Sequence, residues 1–142
     1  MQYSIKYKID AKPLGIGGAA KVYGCTRIAD GERLAIKILS DKNDNGKVER
    51  FKREIDAIVD IVSNGIDGVL PIYDYDKEDL WYVMPLANSL RSIIDNYAKL
   101  QQTAIPVTTY RDEILQQNVE GFIMLANTLE KIHVLGYVHR VI

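Results

Sequence analysis

Directly after the glycine-rich stretch Leu14-Gly15-Ile16-Gly17-Gly18-Ala19-Ala20 the sequence becomes strand-like and not helical. Lys21 to Ile28 carries Val22, Tyr23, Thr26 and Ile28, residue types that fit a pleated, half-buried surface. Glu32 to Leu39 alternates its side chains with period two, so that Leu34, Ile36 and Ile38 share one face while Arg33, Ala35 and Lys37 share the other. Between the two runs, Asp30-Gly31 signals a tight turn, because glycine supplies the positive φ that hairpin turns require. A strand, a loop and an antiparallel hairpin are therefore expected in that order, with Ala35 and Lys37 facing the same way.

The polar segment Ser40 to Gly46 reads as a loop. Val48, Phe51, Ile55, Ile58, Val59 and Val62 then recur at helical spacing until Asn64-Gly65, which predicts one amphipathic helix of about four to five turns. Glu54 lies at the edge of its buried stripe, three residues from Phe51 and four from Ile58, where a carboxylate needs a partner. Two short strands are expected at Leu70 to Tyr75 and Leu80 to Met84, joined by a charged turn from Asp76 to Asp79. Beyond Pro85 the pattern changes to helices: one through Leu90, Ile93, Ile94 and Tyr97, another through Phe122, Leu125, Ala126, Leu129 and Ile132 that stops at Gly136. Thr103 to Tyr110, with Pro106 and three threonines, is expected to be the loop between them. The fold class is α+β, a five-stranded antiparallel sheet with one helix followed by two more helices.

Composition narrows the function classes. The chain has 142 residues, and 47% hydrophobic residues suffice for a buried core. Eighteen Lys and Arg against nineteen Asp and Glu leave a net charge of −1, too weak a field to steer nucleic acid or an anionic membrane. Neither is expected as a partner. Trp81 and the nine tyrosines accordingly read as packing residues and not as a base-stacking platform. A single Cys25 cannot form an internal disulfide and reads as a buried strand residue. No Cys/His cluster has zinc-ligand spacing, and His133 reads as a helix-end residue suited to the dipole. Met1 to Lys6 lacks an apolar signal core, so a cytoplasmic location is expected.

The glycines at 15, 17 and 18 permit close backbone approach, which cradling a phosphate requires. A flexible turn explains them equally well, and Gly-x-Gly-x-x-Ala is also a permitted dinucleotide-binding fingerprint. That second alternative, an NAD-type oxidoreductase, needs a helix to begin at the loop so that its N-terminus faces the pyrophosphate. A strand there points elsewhere. In order along the chain stand Gly15-x-Gly17 with Val22, then Leu34-Ala35-Ile36-Lys37, then Phe51-Lys52-Arg53-Glu54-Ile55, then Tyr137-Val138-His139-Arg140. This series resembles the serine/threonine protein kinase superfamily, from Leu14 to the last residue.

The resemblance implies a kinase-like small lobe over residues 1–84, a hinge over 85–89 and part of a large lobe over 90–142. It implies that Gly15, Gly17 and Gly18 cover the phosphates of ATP, that Val22 and Ala35 sandwich adenine, and that Lys37 contacts the α- and β-phosphates while paired with Glu54. Met84 falls at the gatekeeper position, and Pro85-Leu86-Ala87 at the hinge whose backbone bonds adenine, with Asn88-Ser89-Leu90 as its exit. Proline keeps the carbonyl acceptor and loses only its N–H.

Two positions depart from the family pattern. Ala20 replaces the third glycine, which stiffens the loop. Val141 follows His139-Arg140 where the family has the aspartate that accepts the substrate's proton, and valine cannot act as a base. The asparagine and the Asp-Phe-Gly segment that hold magnesium are absent from the given sequence, so no metal site is expected, and His139 and Arg140 lose their family roles. The expectation is a truncated, catalytically inactive, weakly ATP-binding domain; the alternative is the front part of an active kinase that transfers the γ-phosphate of ATP to protein hydroxyls. The stripe Phe122, Leu125, Leu129 and Ile132 is expected to lie exposed without the rest of a large lobe, favouring self-association or a protein partner.

Overall fold

The computed structural model describes residues 3–88 and 107–138, with 107–115 at the level of the backbone. Among the described residues it is an α+β protein with a five-stranded antiparallel sheet and three helices. A one-turn helix α1 (Tyr3–Lys6) leads into β1 (Tyr7–Ile16), β2 (Ala20–Arg27) and β3 (Arg33–Leu39), then α2 (Asn45–Ser63), β4 (Asp74–Asp76) and β5 (Trp81–Pro85), and finally α3 (Val107–Val134). The sheet order is β1-β2-β3-β5-β4, every neighbouring pair antiparallel. The chain divides into two compact units, Met1–Leu86 and Ala87–Ile142.

Turn chemistry fixes the first hairpins. Gly31 takes φ +77° and donates its N–H to the Arg27 carbonyl, while the Asp30 carboxylate accepts from the Glu32 N–H and from the Arg27 guanidinium. At the other end, the Gly17 N–H bonds the Ala20 carbonyl at 2.9 Å, closing a short loop between β1 and β2. β2 begins at Ala20, so no helix N-terminus follows the glycines, which removes the basis of the dinucleotide alternative. The expected strand at 21–28 thus starts and ends one residue earlier.

Helix α2 is bounded as its caps dictate. Asp44 is extended, and its carboxylate accepts the Lys47 N–H at 3.1 Å, which satisfies one of the free donors of the first turn. Its C-terminus is a Schellman motif: Gly65 at φ +72° donates to the Val62 carbonyl and Ile66 to the Ile61 carbonyl. Ile66 and Ile61 are both buried there.

The sheet is apolar on both faces, and this separates two clusters. On one face Tyr7, Cys25, Leu34, Ile36, Trp81 and Val83 pack together, with Tyr3 and Tyr7 set edge-on to the Trp81 ring. On the other, Ala20, Leu39, Leu80 and Tyr82 meet Phe51 and Ile55 of α2. Cys25 is fully buried. The charges gather outside these clusters, in pairs such as Asp10 with Arg33 and Asp56 with Lys77.

Three expected elements change. Of the segment 70–75 only Asp74 and Tyr75 fall in β4, which runs on to Asp76; Tyr75 is opposite Tyr82, while Pro71, lacking an N–H, precedes the ladder. Pro85, expected in a hinge, is the last residue of β5, opposite Leu34 at the register end where a proline is tolerated. In the second unit, the helix begins at Val107, so residues 107–110, expected as loop, are helical immediately after Pro106. Gly136 at φ +87° ends this helix, as expected, with Tyr137 N–H bonded to the Ile132 carbonyl. Phe122 and Leu125 are exposed, and Leu129 and Ile132 partly covered. The expected helix at 90–97, the loop residues 103–106, Ser89 and His139 to Ile142 lie outside the described residues. Among the described residues, no helix is long and apolar enough to cross a membrane.

Candidate functional site

Antiparallel register places directly opposed residues on one face, and here it lines up chemistry-bearing side chains. Gly15, Val22, Lys37, Tyr82 and Tyr75 form one row across all five strands. The neighbouring row holds Gly24, Ala35 and Met84. Both rows belong to the face that carries α2, because Tyr82 and Leu39 of that face pack on Phe51 and Ile55. The sheet alone therefore brings Val22, Ala35, Lys37 and Met84 together.

Helix α2 supplies the counter-ion. Phe51 and Ile55 are buried, which turns Glu54, beside Ile55 and one turn from Phe51, toward the sheet at the helix edge. Its Oε1 accepts from the Lys37 ammonium and also from the Tyr82 hydroxyl at 2.7 Å. The ammonium lies 5.6 Å from the centroid of the Tyr82 ring and 5.9 Å from that of Phe51, within cation–π range of both. Those two rings are themselves 5.5 Å apart. The Lys37 side chain keeps 24% of its exposure and Glu54 36%, so the pair stands at the rim of the core and meets solvent. Burial, reinforced by hydrogen bonding to Glu54 and by its negative charge, pushes the Tyr82 phenol far above the ordinary tyrosine range; it remains a neutral donor.

The glycine-rich hairpin projects beyond these rows. Gly15, Gly17 and Gly18 are exposed and none has positive φ. A Cβ at Gly15 or Gly18 would touch nothing within 4 Å, and one at Gly17 would make only ordinary contact with the Ala20 carbonyl at 3.4 Å. Folding of the hairpin thus does not demand glycine at these positions, and the space beside them is open to an approaching group. Ala20 is different: its methyl is buried in the cluster with Leu39 and Phe51.

Of the other expected site residues, Ala35 is buried, Val22 and Met84 are half-buried, and Pro85 ends β5. Ala87 is exposed and belongs to the second unit. His139, Arg140 and Val141 are outside the described residues. Among the described residues no group of three His, Cys, Asp or Glu side chains is placed to hold a metal. A concavity of about 450 Å³ lies elsewhere, lined by Tyr3, Tyr7, Ile9, Lys21, Tyr23 and Ile38 toward the opposite face from Lys37. Sequence patterning did not single out Tyr82, which read as one more apolar strand residue. Its parity with Lys37 emerges only once β3 and β5 are paired.

No family model matches the chain, and no curated protein matches it at a significant level.

Proposed function

We propose that residues 3–86 form a nucleotide-binding lobe of protein-kinase type, with ATP held between the glycine-rich hairpin and Lys37. The observation that carries this is the Lys37–Glu54 pair on the face of the sheet shared by Val22, Ala35 and Met84. An isolated surface ion pair contributes little to stability, and this one reaches solvent at the rim of the core, which leaves the lysine available to a second anion. Open space at Gly15 and Gly18 supports the same reading, since the fold itself makes no use of the missing side chains.

In this proposal the backbone of Gly15 to Gly18 approaches the phosphates, Lys37 neutralises them, and Glu54 keeps the ammonium from swinging into solvent. Val22 and Ala35 offer apolar surface to a purine, and Met84 limits its depth. ATP, when bound, would bring an activated phosphoryl group. Val141 stands where the kinase pattern has its proton acceptor, so transfer of that group to a protein hydroxyl is not part of the proposed function.

Titration of the purified chain with a fluorescent ATP analogue tests the proposal. Lys37→Met is expected to weaken binding about tenfold or more, the scale of a lost hydrogen bond to a charged group. Equal affinity in the two proteins would overturn the assignment. Incubation with γ-labelled ATP is expected to leave the chain and added proteins unlabelled.

A further inference from the structure

Two donors converge on a single oxygen of Glu54. The Lys37 ammonium and the Tyr82 hydroxyl both bond Oε1, and they differ in freedom. Lysine is a long, rotatable side chain with a quarter of its surface in solvent, whereas Tyr82 is 3% exposed with its ring against Phe51. Tyr82 lies directly opposite Lys37 in the β3–β5 ladder, so the phenol approaches Glu54 from the rigid sheet itself. Neutrality suits it to donate.

We propose that Tyr82 is a positioning residue that anchors Glu54 to the sheet by its hydroxyl, so that the carboxylate keeps its place while the Lys37 ammonium is shared between Glu54 and an anionic ligand. The ligand half of this inference rests on the nucleotide-binding proposal; the anchor does not. Among the described residues Lys37 and Tyr82 are the side-chain donors to Glu54, so without the phenol the carboxylate would rest on a lysine whose charge is shared with the ligand. With the phenol, the edge of α2 at Glu54 keeps a fixed partner on the sheet beside the packing of Phe51 and Ile55.

Hydrogen exchange of the α2 amides around Glu54, in ligand-free full-length chain, tests the anchor with Lys37→Met, Tyr82→Phe and the double variant. Either single change is expected to leave one donor in place and to speed exchange less than threefold. Removal of both is expected to speed it about tenfold, the factor equivalent to a hydrogen bond to a charged group. A double variant that exchanges no faster than Lys37→Met overturns the anchor. If the phenylalanine variant does not fold, Glu54→Gln read by tyrosine ¹³Cζ NMR replaces it: one buried tyrosine resonance is expected to shift, and an unmoved spectrum overturns the proposal. In a parallel titration, Tyr82→Phe is expected to weaken the ATP analogue severalfold. Failure of the unaltered chain to bind the analogue would overturn the nucleotide proposal, while the exchange cycle still decides the anchor.

Discussion

At the level of single residues, Ala20 separates loop chemistry from core chemistry. The kinase pattern has glycine at this position, and the sequence alone reads the alanine as a stiffening of the phosphate loop. Its methyl instead opposes Leu39 and packs in the cluster of Phe51 and Ile55, at the first residue of β2. Ala20→Gly is therefore expected to lower stability by about 1 kcal/mol through lost packing and added backbone entropy, measured by urea unfolding. An unchanged midpoint would mean that the methyl is not part of the core. Tyr82 teaches the converse. As a buried residue flanked by Trp81 and Val83 it reads as packing, yet its hydroxyl completes the coordination of Glu54.

At the level of elements, what was legible was what local chemistry alone fixes. Asp30-Gly31, Gly65 and Gly136 each adopt or adjoin the left-handed conformation that stops or turns a chain, and each marks an observed boundary. The apolar period of Phe51, Ile55 and Ile58 gave α2 and placed Glu54 beside the sheet. Strand alternation gave the shared face of Ala35 and Lys37. Less legible were features set by pairing partners: the short β4, whose extent depends on β5, and α1 with the Tyr3–Trp81 contact, which needs a distant strand. The start of α3 at Val107 was hidden because three threonines in a short segment resemble a loop. The N-terminus of α2 lies three residues before the first apolar position, where the cap and not periodicity decides. Asp44→Ala is expected to destabilise the protein by about 1 kcal/mol, read as a fall in thermal midpoint of about 4 °C. No change would show that the carboxylate at Asp44 does not cap the helix.

At the level of the whole molecule, acid should be the sensitive direction. The Asp10 carboxyl is held below its ordinary range by the Arg33 guanidinium, Asp30 by the Glu32 N–H and Arg27, Asp44 by the Lys47 N–H, and Asp76 by the Asp79 and Glu78 N–H groups. A carboxyl whose folded value is depressed stabilises the protein above its unfolded value, and that contribution is lost as pH falls through the folded value. Stability is thus expected to be flat near neutrality and to fall below about pH 4, as protons bind these four turns, caps and pairs. A midpoint unchanged between about pH 5 and pH 2.5 would contradict this.

The central claim is that the face bearing Lys37 receives a nucleotide. Hydrogen exchange with and without ATP, mapped by peptide over the full chain, tests it most directly. Slowed exchange is expected over residues 14–22 and around Lys37, and is expected to be lost in Lys37→Met. Protection confined to the opposite face, around Tyr7, Tyr23 and Ile38, or none anywhere, would contradict it.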